Sequence, residues 1–225
     1  MKLNFFLPKS LYSIISVHRT FKRNQDRSTM LDRLHSVQLQ ERHLRNLKVL
    51  PCRTSMLSCL PKGGTVCEVG VAGGDFSQEI LFHTKPAKLH LIDLWSSESD
   101  RYAGSFEKVI SRLSPDIDSG VVEIHRGYSW DMLKKFSDNS LDWVYLDAAH
   151  DYECIKKDIG VVWKKIRAGG LICGHDYTRW SSNGLNRWGV VEAVNELCIE
   201  KDWEFVYLTH ETHRHCSFAI RAIQS

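Results

Sequence analysis

The 225-residue chain lacks any apolar run approaching the ~20 residues needed to cross a bilayer, which excludes a membrane-spanning helix. It has no C-x-x-C pair, and its seven cysteines (52, 59, 67, 154, 173, 198 and 216) are odd in number and scattered. That excludes a disulfide scaffold and points to a reducing compartment, with the cytoplasm as the expected location. No internal repeat or low-complexity tract is present, so a solenoid is set aside. With 43% hydrophobic and 25% charged residues, the balance is that of a globular chain rather than a disordered or fibrous one.

Acidic residues are also missing from the start: none precedes Asp26. Residues 1–60 hold 11 Lys/Arg against 3 Asp/Glu, whereas residues 61–225 hold 19 against 24. A mildly acidic body with a basic arm is unlike a uniformly basic nucleic-acid binder, so nucleic acid is not the expected partner. Residues 1–29 are read first as a helix packing on the body or on a second copy of the chain. A transit-type leader, basic and poor in acids, is the alternative reading. Leu31, Leu34, Leu44 and Leu47 stand near helical spacing and predict a helix over 29–48. PKGG at 61–64 closes this segment, dividing a helical extension (1–60) from a main domain (61–225).

From residue 65, short apolar runs alternate with amphipathic ones. The strands expected are 65–70, 88–93, 121–126, 141–147 and 169–175, with helical stretches around 75–83, 100–113, 128–136, 151–166 and 190–200. This alternation predicts a parallel sheet covered by helices on both faces. The last runs, 203–208 and 216–222, are joined closely enough for an antiparallel hairpin at the sheet edge.

The first of these strands runs into VCEVGVAGGDFS, a glycine-rich turn that lets backbone pass close to a ligand. A dinucleotide fingerprint fails here, because Ala72 stands where a glycine is required. Glu68 at the strand's end would repel a pyrophosphate but suits a cation such as the sulfonium and ammonium of S-adenosylmethionine. The second strand ends in Asp93, placed to accept from ribose hydroxyls, with Leu94 and Trp95 following and Trp95 placed against an adenine. RGYSWD puts Ser129 on the adenine side, where it could equally cap the next helix.

Asp147, His150 and Asp151 follow the fourth strand, and His175 and Asp176 follow the fifth. Neighbouring strands lie about 4.8 Å apart, so these groups converge on one crevice. Asp147, His175 and Asp176 could hold a divalent cation such as magnesium. Asp147, His150 and His175 could instead manage a proton. The residues leave that choice open. Two lesser features are HETHRHC (210–216), a weak zinc signal in a turn, and WSSNGLNRWG (180–189), read as a substrate-facing loop.

The ordered set CEVGVAGG, LIDLW, GYSWD, VYLDAAHDYE, KKIRAGGLICGHDY and GVVEAVNEL resembles class I S-adenosylmethionine-dependent methyltransferases. Within that class it is most similar to the macrocin-type small-molecule O-methyltransferases. The resemblance spans about residues 64–222. It implies a Rossmann-like, doubly wound seven-stranded sheet whose last strand is antiparallel. It further implies that Glu68, Gly70 and Gly74 line the methionine end of the cofactor, Asp93 the ribose and Ser129 the adenine side. Asp147 would be a metal ligand or catalytic carboxylate, with Asp176 beside it. Metal-using members often carry an acidic pair where this chain has His175–Asp176. The acceptor expected is a small-molecule hydroxyl, such as one on a sugar. An NAD-dependent oxidoreductase and a non-catalytic binding protein with a basic docking arm are the rival readings.

Overall fold

The computed structural model describes residues 37–96, 103–181, 184, 186–212 and 215–224, together with Lys22, Gln25 and Thr29, which are helical. The chain divides into a unit of residues 1–36 and a compact unit of residues 37–225, and every strand among the described residues belongs to the second. The transit-type reading of residues 1–29 lies outside the described residues.

Eight strands form one sheet: β1 (Lys48–Leu50), β2 (Thr65–Val69), β3 (Lys88–Asp93), β4 (Val122–Arg126), β5 (Leu141–Leu146), β6 (Ile166–Gly174), β7 (Trp203–Thr209) and β8 (Phe218–Ala222). Their order is β1-β7-β8-β6-β5-β2-β3-β4, and β8 alone runs antiparallel to its neighbours. The mostly parallel, doubly wound architecture expected from the sequence is therefore present, with one additional short strand. The hairpin of β7 and β8 is real but is not the sheet edge. β8 slots between β6 and β7, and β1 pairs in parallel with β7 outside it.

The central strands are buried on both faces, so the period of two sorts their side chains into two cores. On one face Val66, Trp143, Tyr145, Leu171 and Cys173 pack with α1 (Arg53–Cys59), α2 (Asp75–Thr84) and α3 (Ser105–Arg112). On the other, Cys67, Val144, Leu146 and Ile172 pack with α5 (Ser129–Leu133), α6 (Tyr152–Lys165) and α7 (Val190–Lys201). A short α4 (Ser114–Asp118) leads into β4. In α6 the buried Ile155, Ile159 and Val162 stand at i, i+4 and i+7, the spacing that turns one stripe inward. Asp151 caps that helix, its carboxylate accepting from the Cys154 N–H at 3.0 Å.

The helix expected over 29–48 is not formed as such. Residues 30–36 lie outside the described residues. Residues 37–40 are irregular, Glu41–His43 make one 3-10 turn, and Lys48–Leu50 extend as β1. The leucines do not share one face: Leu39 and Leu47 pack on the core whereas Leu44 is exposed. Pairing with the free edge of β7 overrides the weak helical period, and Pro51 ends the strand. Residues 37–60 thus belong to the body, with Met56 and Leu57 of α1 fully buried.

Sheet order reverses at β2, which lies between β3 and β5. In such sheets the crevice outside the carboxyl ends at the reversal is the ligand site. Backbone bonds tie those strand tips together: Gly70 N–H donates to Ile92 O at 2.8 Å, Asp147 N–H to Val69 O at 2.7 Å and His175 N–H to Leu146 O at 3.0 Å.

Candidate active site: two clefts meeting at Gly70

Two cavities open at this reversal. The smaller, about 290 Å3, is walled mainly by apolar groups of Val69, Ile92, Leu94, Tyr128 and Ala148, with Asp93 and Ser129 at its side. The larger, about 680 Å3, is polar and is bordered by Arg53, Glu68, Asp147, His150, Asp176 and Trp188. Gly70 and Ala148 line both cavities, so the two adjoin. At Gly70 the backbone has φ +89, and a Cβ there would stand 2.2 Å from the Asp147 carbonyl oxygen. Only glycine fits that junction.

Asp93 holds the first loop together. Its Oδ2 accepts from the N–H groups of Val71 (2.7 Å) and Ala72 (2.9 Å), and its Oδ1 accepts from Trp95 N–H at 2.9 Å. Each oxygen has two lone pairs, so Oδ1 keeps one for a ligand hydroxyl. Leu94 lines the apolar cleft beside it. Trp95 does not. Its indole is buried among Val71, Phe76 and Val109, its Nε1–H donates to Ala72 O at 3.0 Å, and its ring packs on Phe106. A positive φ of 40° at Trp95 turns the chain so that the ring enters the core instead of the cleft.

Gly74 also departs from expectation. It starts α2 in the left-handed conformation and abuts Val109, while Gly73 borders the polar cleft. Ser129 lines the apolar cleft without capping α5; its hydroxyl donates to Asp158 Oδ1 at 2.6 Å.

Glu68 is 1% exposed, with Oε2 accepting from Ser77 Oγ–H at 2.5 Å. Burial pushes its carboxyl up to about 8, so it is largely protonated at neutral pH. Burial likewise lifts Asp147 to about 6, against the opposing pull of His175 and Arg53. Asp176 moves the other way despite its burial. His150 Nε2 lies 2.6 Å from its Oδ2 and His175 Nδ1 lies 3.0 Å from its Oδ1, which holds it well below the usual carboxylate range. His175 is raised although burial opposes this, because Asp176 and Asp147 favour its charged form.

The tips of β5 and β6 therefore gather Asp147, His150, His175 and Asp176, as the sequence suggested. Ligand atoms of Asp147, His175 and Asp176 lie within 4.8 Å of one another. His175 differs in one respect: it sits behind Asp176 and does not border the polar cavity, whereas Asp147, His150 and Asp176 do. His150 stacks on Trp188 at 4.4 Å between ring centres, and His215 meets the edge of the same indole. Ser181, Asn186 and Trp188 of the 180–189 segment border the cavity; Ser182, Asn183 and Leu185 lie outside the described residues. No metal-binding group forms at 210–216 among the described residues.

Arg53 was not foreseen. It comes from α1, within the part read as an extension. Its guanidinium lies 4.5 Å over the Phe76 ring and 3.7 Å from Asp147 Oδ2. No motif marks it, since the contact joins residues 94 positions apart through tertiary packing.

Residues 67–177 match the family model described as a methyltransferase domain. That stretch, just under half of the chain, is similar to methyltransferase domains. The chain's Rossmann-like class I fold recurs in an rRNA methylase from Streptococcus thermophilus, with 12% identity, 76% of this chain and 94% of that one covered, and a TM-score of 0.57. A Streptococcus mutans methyltransferase candidate solved in complex with S-adenosylhomocysteine (SAH) gives 11%, 76%, 96% and 0.55. Spermidine synthase from Thermotoga maritima gives 15%, 75%, 57% and 0.51. At these identities the likeness is one of fold. A comparison with curated protein sequences found no match. Among the described residues, no helix of the chain is long and apolar enough to cross a membrane.

Proposed function

We propose that this chain is a methyltransferase that moves the methyl group of S-adenosylmethionine to a hydroxyl of a small molecule, in the manner of the macrocin-type enzymes its motifs resemble. The junction at Gly70 carries this reading. An apolar slot with the Asp93 carboxylate at its side meets a polar cavity holding a buried acid, and the only residue type that fits between them is glycine.

The donor set fits that cofactor. Asp93 Oδ1 and Leu94 would meet the ribose, and Ser129 would stand on the adenine side. Glu68 is a buried carboxyl whose Oε2 accepts from the neutral Ser77 hydroxyl, and a sulfonium or ammonium would draw it into its charged form. When bound, S-adenosylmethionine supplies a methyl group already activated by the positive charge on sulfur.

This chain's own residues then position the acceptor and take its proton. His150 borders the cavity and is held by Asp176, whose charge stabilises an imidazolium as it forms. Trp188 stacks on His150 and fixes its plane. Asp147, opposite Arg53, accepts a hydrogen bond from a neighbouring hydroxyl of the acceptor, leaving the reacting O–H to His150. Asp147, His175 and Asp176 would also suit a divalent cation such as magnesium, which would polarise the acceptor oxygen. The proton path described does not pass through it.

The acceptor class follows from charge and size. Asp75, Asp147 and Asp176 border the cavity against the guanidinium of Arg53, a wall that repels phosphates. A volume of about 680 Å3 suits a small molecule. The test is transfer of labelled methyl from S-adenosylmethionine, comparing a panel of hydroxylated small molecules with total RNA. Label on small molecules, lost in His150→Gln, supports the reading; label on RNA alone, or no SAH binding by the folded protein, overturns it.

A further inference from the structure

A second group of metal-ligating side chains stands apart from the clefts, on the outer strands β3 and β4. His90 pairs in register with Glu123, and His125 follows two residues along β4. By the period of two, all three side chains leave the same face of the sheet. His90 Nδ1 and His125 Nε2 are 3.0 Å apart. The Glu123 carboxylate reaches over both, with Oε1 3.6 Å from His125 Nε2 and Oε2 3.9 Å from His90 Nδ1. Phe136 closes the inner side, its ring meeting both imidazoles edge-on at 4.8 and 5.4 Å.

We propose that His90, Glu123 and His125 form a binding site for a borderline divalent transition metal, of the zinc, nickel or copper class. Ligand atoms about 2.0–2.2 Å from a tetrahedral zinc stand roughly 3.3–3.5 Å from one another. The two nitrogens stand 3.0 Å apart, and the carboxylate oxygens facing them, one for each ring, lie at 3.6 and 3.9 Å, within about half an ångström of those ligand separations. Two imidazoles and one carboxylate select these ions over magnesium or calcium, which prefer all-oxygen sets.

The ordinary alternative is a hydrogen-bonded histidine pair that merely fills the sheet edge. That pair satisfies one nitrogen of each ring but gives no reason for a carboxylate to face both rings at once. Lys88 holds Glu123 Oε2 at 2.9 Å, and an incoming metal would displace it. Its long stem lets the ammonium return to water at little cost. The site lies three residues before Asp93 on β3 and two before Gly127 on β4. A bound ion would clasp the two strands whose tips wall the apolar cleft.

The test titrates the full-length, chelator-treated protein with zinc chloride by calorimetry, and with cobalt chloride by visible absorption. One site of micromolar affinity is expected, weakened at least tenfold in His125→Gln and His90→Gln and unchanged in Asp176→Asn. Thermal melts confirm that each variant folds. In the unsubstituted protein, imidazole NMR signals of His90 and His125 should shift with zinc. Absence of binding, or binding lost in Asp176→Asn and kept in both histidine variants, would overturn the site.

Discussion

The two clefts that share Gly70 are built on opposite electrostatic plans. The apolar one is formed by backbone, aliphatic and aromatic groups, and its one carboxylate, Asp93, is already engaged by three N–H donors. The polar one concentrates titratable groups whose ionisation is displaced in both directions: Glu68 up to about 8, Asp147 up to about 6, Asp176 down. A rigid slot suits a ligand that must be held the same way every turnover, and a field of displaced acids suits chemistry. The division predicts that substitutions in the first cleft act on cofactor affinity, and those around His150 and Asp176 in the second on turnover, with Glu68, proposed to meet the cofactor's cation, as the exception.

Gly70→Ala attacks both at once and should have the largest effect. Its Cβ would meet the Asp147 carbonyl carbon and oxygen within 2.4 Å, and the left-handed φ adds strain. SAH binding measured by calorimetry should disappear, with the melting temperature lowered by several degrees. Wild-type affinity in this variant would mean that the cofactor does not pass Gly70.

His150→Gln should separate the clefts. Loss of a positioned base lowers kcat by roughly 10²- to 10³-fold. SAH affinity should stay within about twofold, because His150 borders only the polar cavity. Equal losses in kcat and SAH affinity would end the division.

Much of this was legible in the sequence. The parallel strands read correctly to within one residue at most ends, because buried central strands are continuous apolar runs bounded by glycine and acid. The gathering at the tips of β5 and β6 was legible too, since Asp147 and His175 directly follow their strands. What failed depended on tertiary contact. β1 is three residues long and exists because β7 offers a free edge. Trp95 turned inward through a backbone conformation that no spacing announces. Arg53 entered the cleft from a helix that the charge pattern assigned to an extension.

Leu94→Lys sharpens the comparison from the apolar side. Leu94 is 40% exposed at the cleft, so a lysine there can be accommodated without unfolding but brings an ammonium and its hydration to the ribose position. SAH affinity should fall about tenfold, roughly 1.4 kcal/mol, while kcat at saturating cofactor stays near wild type. A fall in kcat with unchanged affinity would reverse the roles assigned to the two cavities.

The smallest effect is a proton. With its carboxyl at about 8, Glu68 is mainly neutral at pH 7 in the free protein. A bound cation favours the carboxylate and lowers that value, so cofactor binding at pH 7 should release close to one proton. Affinity should then rise with pH between about 6 and 8 and level off above, by at most tenfold per pH unit. Calorimetry in two buffers of different ionisation enthalpy counts the proton directly, and Glu68→Gln should abolish the difference between them. The same shift sets stability in the free protein. The folded value lies above the unfolded one near 4.3, so the unfolded state ionises first and stability falls as pH rises from about 4 to 8. Glu68→Gln should flatten that fall. If proton release persists in Glu68→Gln, the titrating acid is another, and Asp147, at about 6, is next in line.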